Sequence, residues 1–119
     1  VEARYVAAMR RVLQELGPYA VIAPGIALLH ARPDDGVLAP CLALITLSQP
    51  VEFGSAQNDP VDLVFALGAV DKTAHIAALQ ELAGLLMEPH VLERLRTAAD
   101  DQALLAAIQS AIISKGREI

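Results

Sequence analysis

The sequence has few of the residues that build disulfide frameworks or aromatic stacking surfaces. Its 119 residues include one cysteine, Cys41, no tryptophan and only 3% aromatic residues. A single cysteine cannot form an internal disulfide, so we predict a reducing compartment, the cytoplasm. The apolar runs fall far short of the ~18 residues of a membrane span. No basic segment followed by an apolar one opens the chain. We therefore predict neither secretion nor direct membrane insertion.

Basic charge is also scarce. Nine Lys and Arg residues stand against fourteen Asp and Glu residues, which gives a formal net charge of −5. Proteins that bind nucleic acid usually carry a basic patch and often aromatic stacking residues, and neither pattern occurs here. The same composition disfavours an anionic membrane surface. We predict no nucleic-acid partner, and a phosphate group would have to be bound by a few local donors.

The chain is rich in aliphatic residues, and 55% of all its residues are hydrophobic. Apolar positions spaced by three and four predict a helix over residues 2–16, ended by Gly17-Pro18. Short strands are predicted over 19–22 and 26–29. The runs 41–47 and 61–70 are typical of buried strands. We expect the first of these to lie centrally in a sheet, with Cys41 in the core.

The second half is predicted to be helical. A polar loop over 49–60 separates the two long strands. A helix then begins at Asp71-Lys72-Thr73, with Asp71 or Thr73 as its cap, and ends at Glu88-Pro89. Two further helices are predicted over 91–99 and 101–113. A predicted buried stripe on the first of the three helices consists of Ile76, Leu79, Leu82, Leu85 and Leu86. The expected fold is a single α/β or α+β layered domain, with helices covering a sheet.

His30 is the first candidate catalytic residue, because it follows the 26–29 run where a strand ends and backbone amides become free. A neutral imidazole is a good nucleophile near pH 7, and a backbone carbonyl can fix its second nitrogen. Arg32 lies close enough along the chain to bind an oxyanion. The alternatives are a packed or surface histidine and a solvated turn arginine.

His75 is the second candidate, in the first turn of the helix that begins near Asp71. The free amides and partial positive charge of a helix N-terminus favour anions. They disfavour a protonated histidine, so we expect a neutral hydrogen-bond donor. The alternative is a purely structural histidine at a helix cap.

No motif points to a metal or a nucleotide. His90 adds a third histidine, but no His-Glu-x-x-His or Cys-x-x-Cys spacing occurs. The sequence also has no Gly-rich phosphate loop and no G-x-S-x-G turn. We predict no metal and no cofactor. A hydrolase with His30 as general base remains a third alternative, although no motif places a nucleophile for it.

Several segments resemble the enzyme IIA domain of the bacterial sugar phosphotransferase system, of the mannitol/fructose type. The segments 50–55, 58–61 and 71–75 are more similar to its ascorbate-specific branch. The segments that carry the general resemblance are Tyr5-Val6-Ala7-Ala8-Met9, Gly17-Pro18-Tyr19 and Ile22-Ala23-Pro24-Gly25-Ile26-Ala27-Leu28-Leu29-His30-Ala31-Arg32-Pro33.

The resemblance implies a phosphocarrier, and so a phosphotransferase with a phosphohistidine intermediate. His30 would accept a phosphoryl group from the phosphohistidine of HPr and pass it to a cysteine of an enzyme IIB partner during sugar uptake. His75 would lie beside it and help to hold the group. The family fold is a mixed β-sheet sandwiched between helices, and residues 1–119 would form one such domain without its first N-terminal helix.

One departure from the family pattern keeps another function open. Leu29 stands where the family usually has a proline before the active histidine, which removes a φ constraint and adds an N–H. A regulatory binding module of the same fold, acting on a transcription regulator or a transporter, is therefore the alternative.

Overall fold

Strand β4 (Val61–Gly68) is the buried centre of the sheet, and its sequence VDLVFALG is apolar at nearly every position. The computed structural model describes residues 2–118, with side chains for 2–15, 17–32 and 34–112. Beside β4, the sheet contains β1 (Val21–Ala23), β2 (Ile26–Leu29) and β3 (Cys41–Val51). The strand order is β1-β2-β4-β3, with β2 parallel to β4 and the other two pairs antiparallel. The predicted α+β class with a mixed sheet is confirmed.

Four α-helices accompany the sheet: α1 (Ala3–Leu16), α2 (Lys72–Leu86), α3 (Pro89–Arg96) and α4 (Asp101–Glu118). Short 3-10 turns occupy Gly17–Ala20 and Pro33–Asp35. Gly17-Pro18 ends α1, as predicted from the conformational limits of glycine and proline. The predicted break at Glu88-Pro89 also follows the end of α2, but α3 begins at Pro89 and ends at Arg96, whereas 91–99 was predicted, because proline fits the first turn of a helix. The last helix continues beyond the predicted end at residue 113.

The prediction for strand β3 and Cys41 was wrong in one respect. The 41–47 run does form a strand, but it lies at the edge of the sheet and continues to Val51. Its side chains are exposed or half-buried, and Cys41 is exposed rather than in the core. An apolar run shows that a strand forms, but not how many neighbours it has. Of the two long apolar strands, β4 is the one that lies inside the sheet, between β2 and β3.

Two smaller predictions also need correction. Tyr19 lies in a 3-10 turn rather than a strand, and its side chain is 82% exposed. Ile76, predicted to belong to the buried stripe of α2, is 48% exposed, whereas the stripe residues Leu82, Leu85 and Leu86 are buried. The stripe therefore begins one turn later than its spacing indicated.

The chain divides into two compact units, Val1–Ile76 and Ala77–Ile119. In the first unit, buried side chains of the sheet form one cluster, and Tyr5, Ala8 and Ala31 form a second between α1 and the end of β2. In the second unit, α3 and α4 pack against each other. Its buried apolar residues are Leu82, Leu85, Leu86, Val91, Leu95, Leu104, Ala107, Ile108 and Ala111.

Candidate functional site

The candidate site lies at the carboxyl ends of the parallel strands β2 and β4. His30 follows the last residue of β2, and β4 leads through residues 69–71 into α2. In the ladder between the two strands, Leu29 pairs with Ala66. Because parallel strands end at the same edge of a sheet, this pairing brings His30 close to the start of α2.

The first turn of α2 places His75. The Asp71 side chain caps the helix, because its Oδ1 accepts a hydrogen bond from the Ala74 amide at 2.7 Å. The Asp71 carbonyl accepts from the His75 amide at 2.9 Å. Of the two predicted caps, Asp71 makes this bond. The cap fixes the first turn and with it the direction of the His75 side chain.

The two candidate histidines lie side by side. Their ring centroids are 5.1 Å apart and the ring planes are inclined by 45°. Nδ1 of each ring is buried and has no hydrogen-bond partner among the described residues. The expected backbone carbonyl beside the second nitrogen of His30 is therefore not found. The neighbouring ring of His75 packs against His30 instead.

The surroundings of His30 favour its neutral form. Burial lowers the pKa of His30 below the ordinary 6.5, and the neighbouring His75 lowers it further. Burial withholds water from the imidazolium, and a second ring that can also become charged repels it. At a pH low enough to protonate an ordinary histidine, more of the His30 rings therefore stay neutral and keep a free lone pair.

Both rings line an open cleft of about 860 Å³ in the first unit. Arg32 also lines it, with its side chain 79% exposed and its Nε 3.5 Å from Asp35 Oδ2. An exposed ion pair of this kind holds its partners weakly, so Arg32 is free to turn toward an anion. The complete lining consists of Ala8, Arg11, Val12, Glu15, His30, Ala31, Arg32, Asp34, Asp35, Val70, Asp71, Lys72 and His75.

Sequence reasoning missed two cations of this cleft, Arg11 on α1 and Lys72 at the start of α2. Arg11 is one of the charged residues between the apolar positions of the helix predicted over residues 2–16. Its spacing of three from Ala8 and four from Glu15 places these residues on one helical face, the face that lines the cleft. That spacing was the available signal. For Lys72, only its position beside the helix cap could have indicated the site.

The third histidine has different surroundings. His90 is 75% exposed, with Nε2 3.6 Å from Glu88 Oε2, and belongs to the second unit. Among the side chains that the structure describes, no three His, Cys, Asp or Glu residues are grouped closely enough to hold a metal ion.

Comparison with known proteins gives the family. Residues 1–111 match the family described as "Phosphoenolpyruvate-dependent sugar phosphotransferase system, EIIA 2". The chain belongs to this enzyme IIA family. The resemblance inferred from the sequence segments is thus confirmed.

Named members of the enzyme IIA group are similar over most of the chain. The "Ascorbate-specific PTS system EIIA component" of Escherichia coli K12 is 38% identical over 109 residues, which cover 91% of this chain and 71% of the relative. The solution structure of the mannitol-specific cryptic enzyme IIA CmtB of Escherichia coli has a TM-score of 0.77 at 37% identity, covering 90% of this chain and 72% of the other.

A further solved structure is a complex. It contains enzyme IIA for mannitol and phosphorylated enzyme IIB for mannitol, both from Escherichia coli. It has a TM-score of 0.73 at 26% identity, covering 92% of this chain and 76% of that chain. Within residues 2–118 of the enzyme IIA described here, no helix is both long and apolar enough to cross a membrane.

Proposed function

We propose that this enzyme IIA is a phosphocarrier in which His30 receives a phosphoryl group from phospho-HPr and gives it to a cysteine of an enzyme IIB. The observation that carries the proposal is the pair of imidazole rings, 5.1 Å apart, beside an open cleft. The sugar would be of the ascorbate or mannitol/fructose kind, as the names of the relatives suggest. The proposed location is the cytoplasm.

The transfer exchanges one phosphorus bond for another. A lone pair on a ring nitrogen of His30 attacks phosphorus, and the nitrogen–phosphorus bond of phospho-HPr breaks, its electron pair returning to the donor imidazole. Since Nδ1 of His30 is enclosed, Nε2 is the nitrogen proposed to attack, from the tautomer with its proton on Nδ1. The second transfer repeats this displacement with a thiolate of enzyme IIB as nucleophile.

The protein's task in this reaction is alignment and charge compensation. A phosphoryl group on His30 brings about −1.5 to −2 charges. We propose that His75 donates a hydrogen bond to it and that Arg32, at the exposed rim of the same cleft, binds one of its oxygens. Holding donor and acceptor in line lowers the barrier, because the orientation is fixed before the reaction begins.

Incubation with labelled phospho-HPr tests the proposal. His30→Ala should accept no label, because no other nucleophile replaces the ring. His75→Ala should accept label at least about tenfold more slowly while its circular dichroism spectrum stays unchanged. The matched control is His90→Ala, which removes an exposed histidine of the second unit and should behave as wild type. Label on His30→Ala at the wild-type rate would refute the proposal.

A further inference from the structure

Tyr5 is almost completely enclosed at the back of the candidate site. Its side chain is 1% exposed and packs in one cluster with Ala8 and Ala31. Ala31 is the residue that follows His30. Tyr5 belongs to the first turn of α1, so α1 reaches the backbone of Ala31, next to His30, through this side chain.

The Tyr5 hydroxyl joins the ends of two strands. It donates a hydrogen bond to the carbonyl of Leu67 on β4 at 2.6 Å, and it accepts one from the Ala31 amide at 3.0 Å. The Ala31 carbonyl lies at 3.3 Å as a second, longer acceptor. A phenol hydroxyl can donate one hydrogen bond and accept others, and the Tyr5 hydroxyl does both.

These partners are the two groups that the sheet itself would have joined. Ala27 pairs with Val64 and Leu29 with Ala66 in the parallel ladder of β2 and β4. Continued by two residues, the register sets Ala31 opposite residue 68. In a parallel ladder the Ala31 amide would then bond to the carbonyl one residue earlier, that of Leu67. The Tyr5 hydroxyl stands between this amide and this carbonyl and replaces their direct bond.

The replacement has a structural consequence. A direct ladder bond would draw residues 30 and 31 against β4 as a continuation of β2. With a hydroxyl inserted, β2 ends at Leu29 and the next residues diverge from β4. The divergence occurs at His30, the residue whose ring must be open to a partner protein.

We propose that Tyr5 is a positioning residue for His30: its hydroxyl ends the β2–β4 ladder and fixes the backbone beside the reactive ring. This inference rests on the proposed function for its effect on phosphoryl transfer, but its effect on the His30 ring is independent of that function. Burial raises the pKa of Tyr5, so the hydroxyl keeps the proton that it donates to Leu67.

The variant Tyr5→Phe tests the inference, because it keeps the ring and removes only the hydroxyl. Two readouts are needed. In nitrogen-15 NMR titrations, the pKa of His30 should move from its lowered value toward 6.5, as the freed backbone exposes the ring and alters its distance from His75. At saturating phospho-HPr, the transfer rate should fall about tenfold, with the half-saturating HPr concentration unchanged.

Two control variants separate positioning from stability and from general loss of a hydroxyl. Val61→Ala makes a cavity at a fully buried site at the other end of β4, about 20 Å from Leu67 along the strand. It should lower the melting temperature without changing the His30 titration or the transfer rate. Tyr19→Phe removes an exposed hydroxyl and should have no effect.

The outcomes are distinct. A wild-type His30 titration and transfer rate in Tyr5→Phe would overturn the inference. Absence of label on the wild type would refute the proposed function, while the titration would still test Tyr5. If Tyr5→Phe does not fold, hydrogen exchange of the Ala31 amide in the wild type tests the inference instead. Strong protection supports the bond to Tyr5, and exchange as fast as in an exposed loop overturns it.

Discussion

At the scale of single residues, the site depends on a histidine whose surroundings disfavour its proton. The pKa of His30 lies below 6.5 because the ring is partly withdrawn from water and faces His75. In the unfolded chain both causes vanish and the ordinary value returns. Between the two pKa values, the unfolded chain therefore binds more protons at this position than the folded chain does.

This difference makes stability depend on pH with a definite sign. Above pH 6.5, His30 is mainly neutral in the folded and the unfolded chain, so it does not lower the free energy of unfolding. As the pH falls through 6.5 toward the lower folded pKa, protonation favours the unfolded chain and stability is lost. Since Gln cannot titrate, we expect the free energy of unfolding to fall more steeply in wild type than in His30→Gln.

Urea unfolding of both proteins between pH 7.5 and pH 5 measures this effect. All other titrating groups are common to the two chains, so the difference between the two curves reports His30 together with its interaction with His75. Parallel curves, or a steeper fall in His30→Gln, would contradict the lowered pKa. Direct NMR titration of the ring provides a second check.

At the scale of elements, the connection between β3 and β4 is organised by one carboxylate. Asp59 accepts hydrogen bonds from three consecutive backbone amides, those of Phe53, Gly54 and Ser55, at 2.8–3.0 Å. The same connection reaches the start of β2, because the carbonyl of Asn58 accepts from the amide of Gly25, the residue before that strand, at 2.9 Å. This end of β2 is opposite to His30, about 13 Å away along the strand.

Asp59→Ala should therefore affect stability and not transfer. Loss of the carboxylate leaves three amides without their acceptor, and we expect about 2 kcal/mol lower stability in urea unfolding. The rate of label transfer from phospho-HPr should stay at the wild-type value. Glu52→Ala, an exposed carboxylate of the same loop, is the control and should change neither quantity. Slow transfer in a folded Asp59→Ala would show that the loop communicates with the site.

The helices and strands also show which parts of the fold can be predicted from local sequence patterns. The boundaries of β2 and the breaks at Gly17 and Pro89 follow from local chemistry and were predicted. The order of the strands was not. The two apolar runs 41–47 and 61–70 look alike in sequence, and only pairing decides that β4 is central and β3 lies at the edge. Strand pairing joins residues far apart in the chain, so no local pattern contains it.

At the scale of the whole molecule, the same limit applies to the site. His30 and His75 could be singled out as residues next to a strand end and a helix start. Their distance of 5.1 Å depends on the parallel pairing of β2 with β4. The role inferred for Tyr5 could not be predicted, because an apolar stripe of α1 explains a buried tyrosine equally well. Only the ladder shows what its hydroxyl replaces.

Charged groups of both signs line the cleft of this acidic molecule. The chain carries a formal charge of −5, yet three cations, Arg11, Arg32 and Lys72, line the cleft. Four acidic residues line it too, but Asp71 caps α2 and Asp35 faces Arg32. A phosphoryl group on His30 would therefore depend on individual cations placed close to it, since neither the whole chain nor the lining of the cleft has a net positive charge.

The carrier and the regulatory module differ in the fate of that phosphoryl group. A carrier must release it, and His30 lines an open cleft, the side from which a partner's side chain would approach. We expect labelled chain to lose its phosphoryl group within seconds when an enzyme IIB of the ascorbate type is added. The reason is that in-line alignment on both partners lowers the barrier to transfer.

Rapid-quench measurement of label on the two proteins tests this. The control is an enzyme IIB whose acceptor cysteine is replaced by serine, which should leave the label on His30. A chain that accepts label from HPr but retains it with active enzyme IIB would behave as a regulatory module, since the phosphoryl group would then stay on the chain and define its state instead of being transferred.

In that case Leu29, which stands where the family usually has proline, is the first position to replace. Leu29→Pro imposes the φ constraint before His30, but it also removes an amide that the β2–β4 register directs at the carbonyl of Phe65. Recovered transfer in that variant, at an unchanged melting temperature, would assign the retention to the backbone at that position.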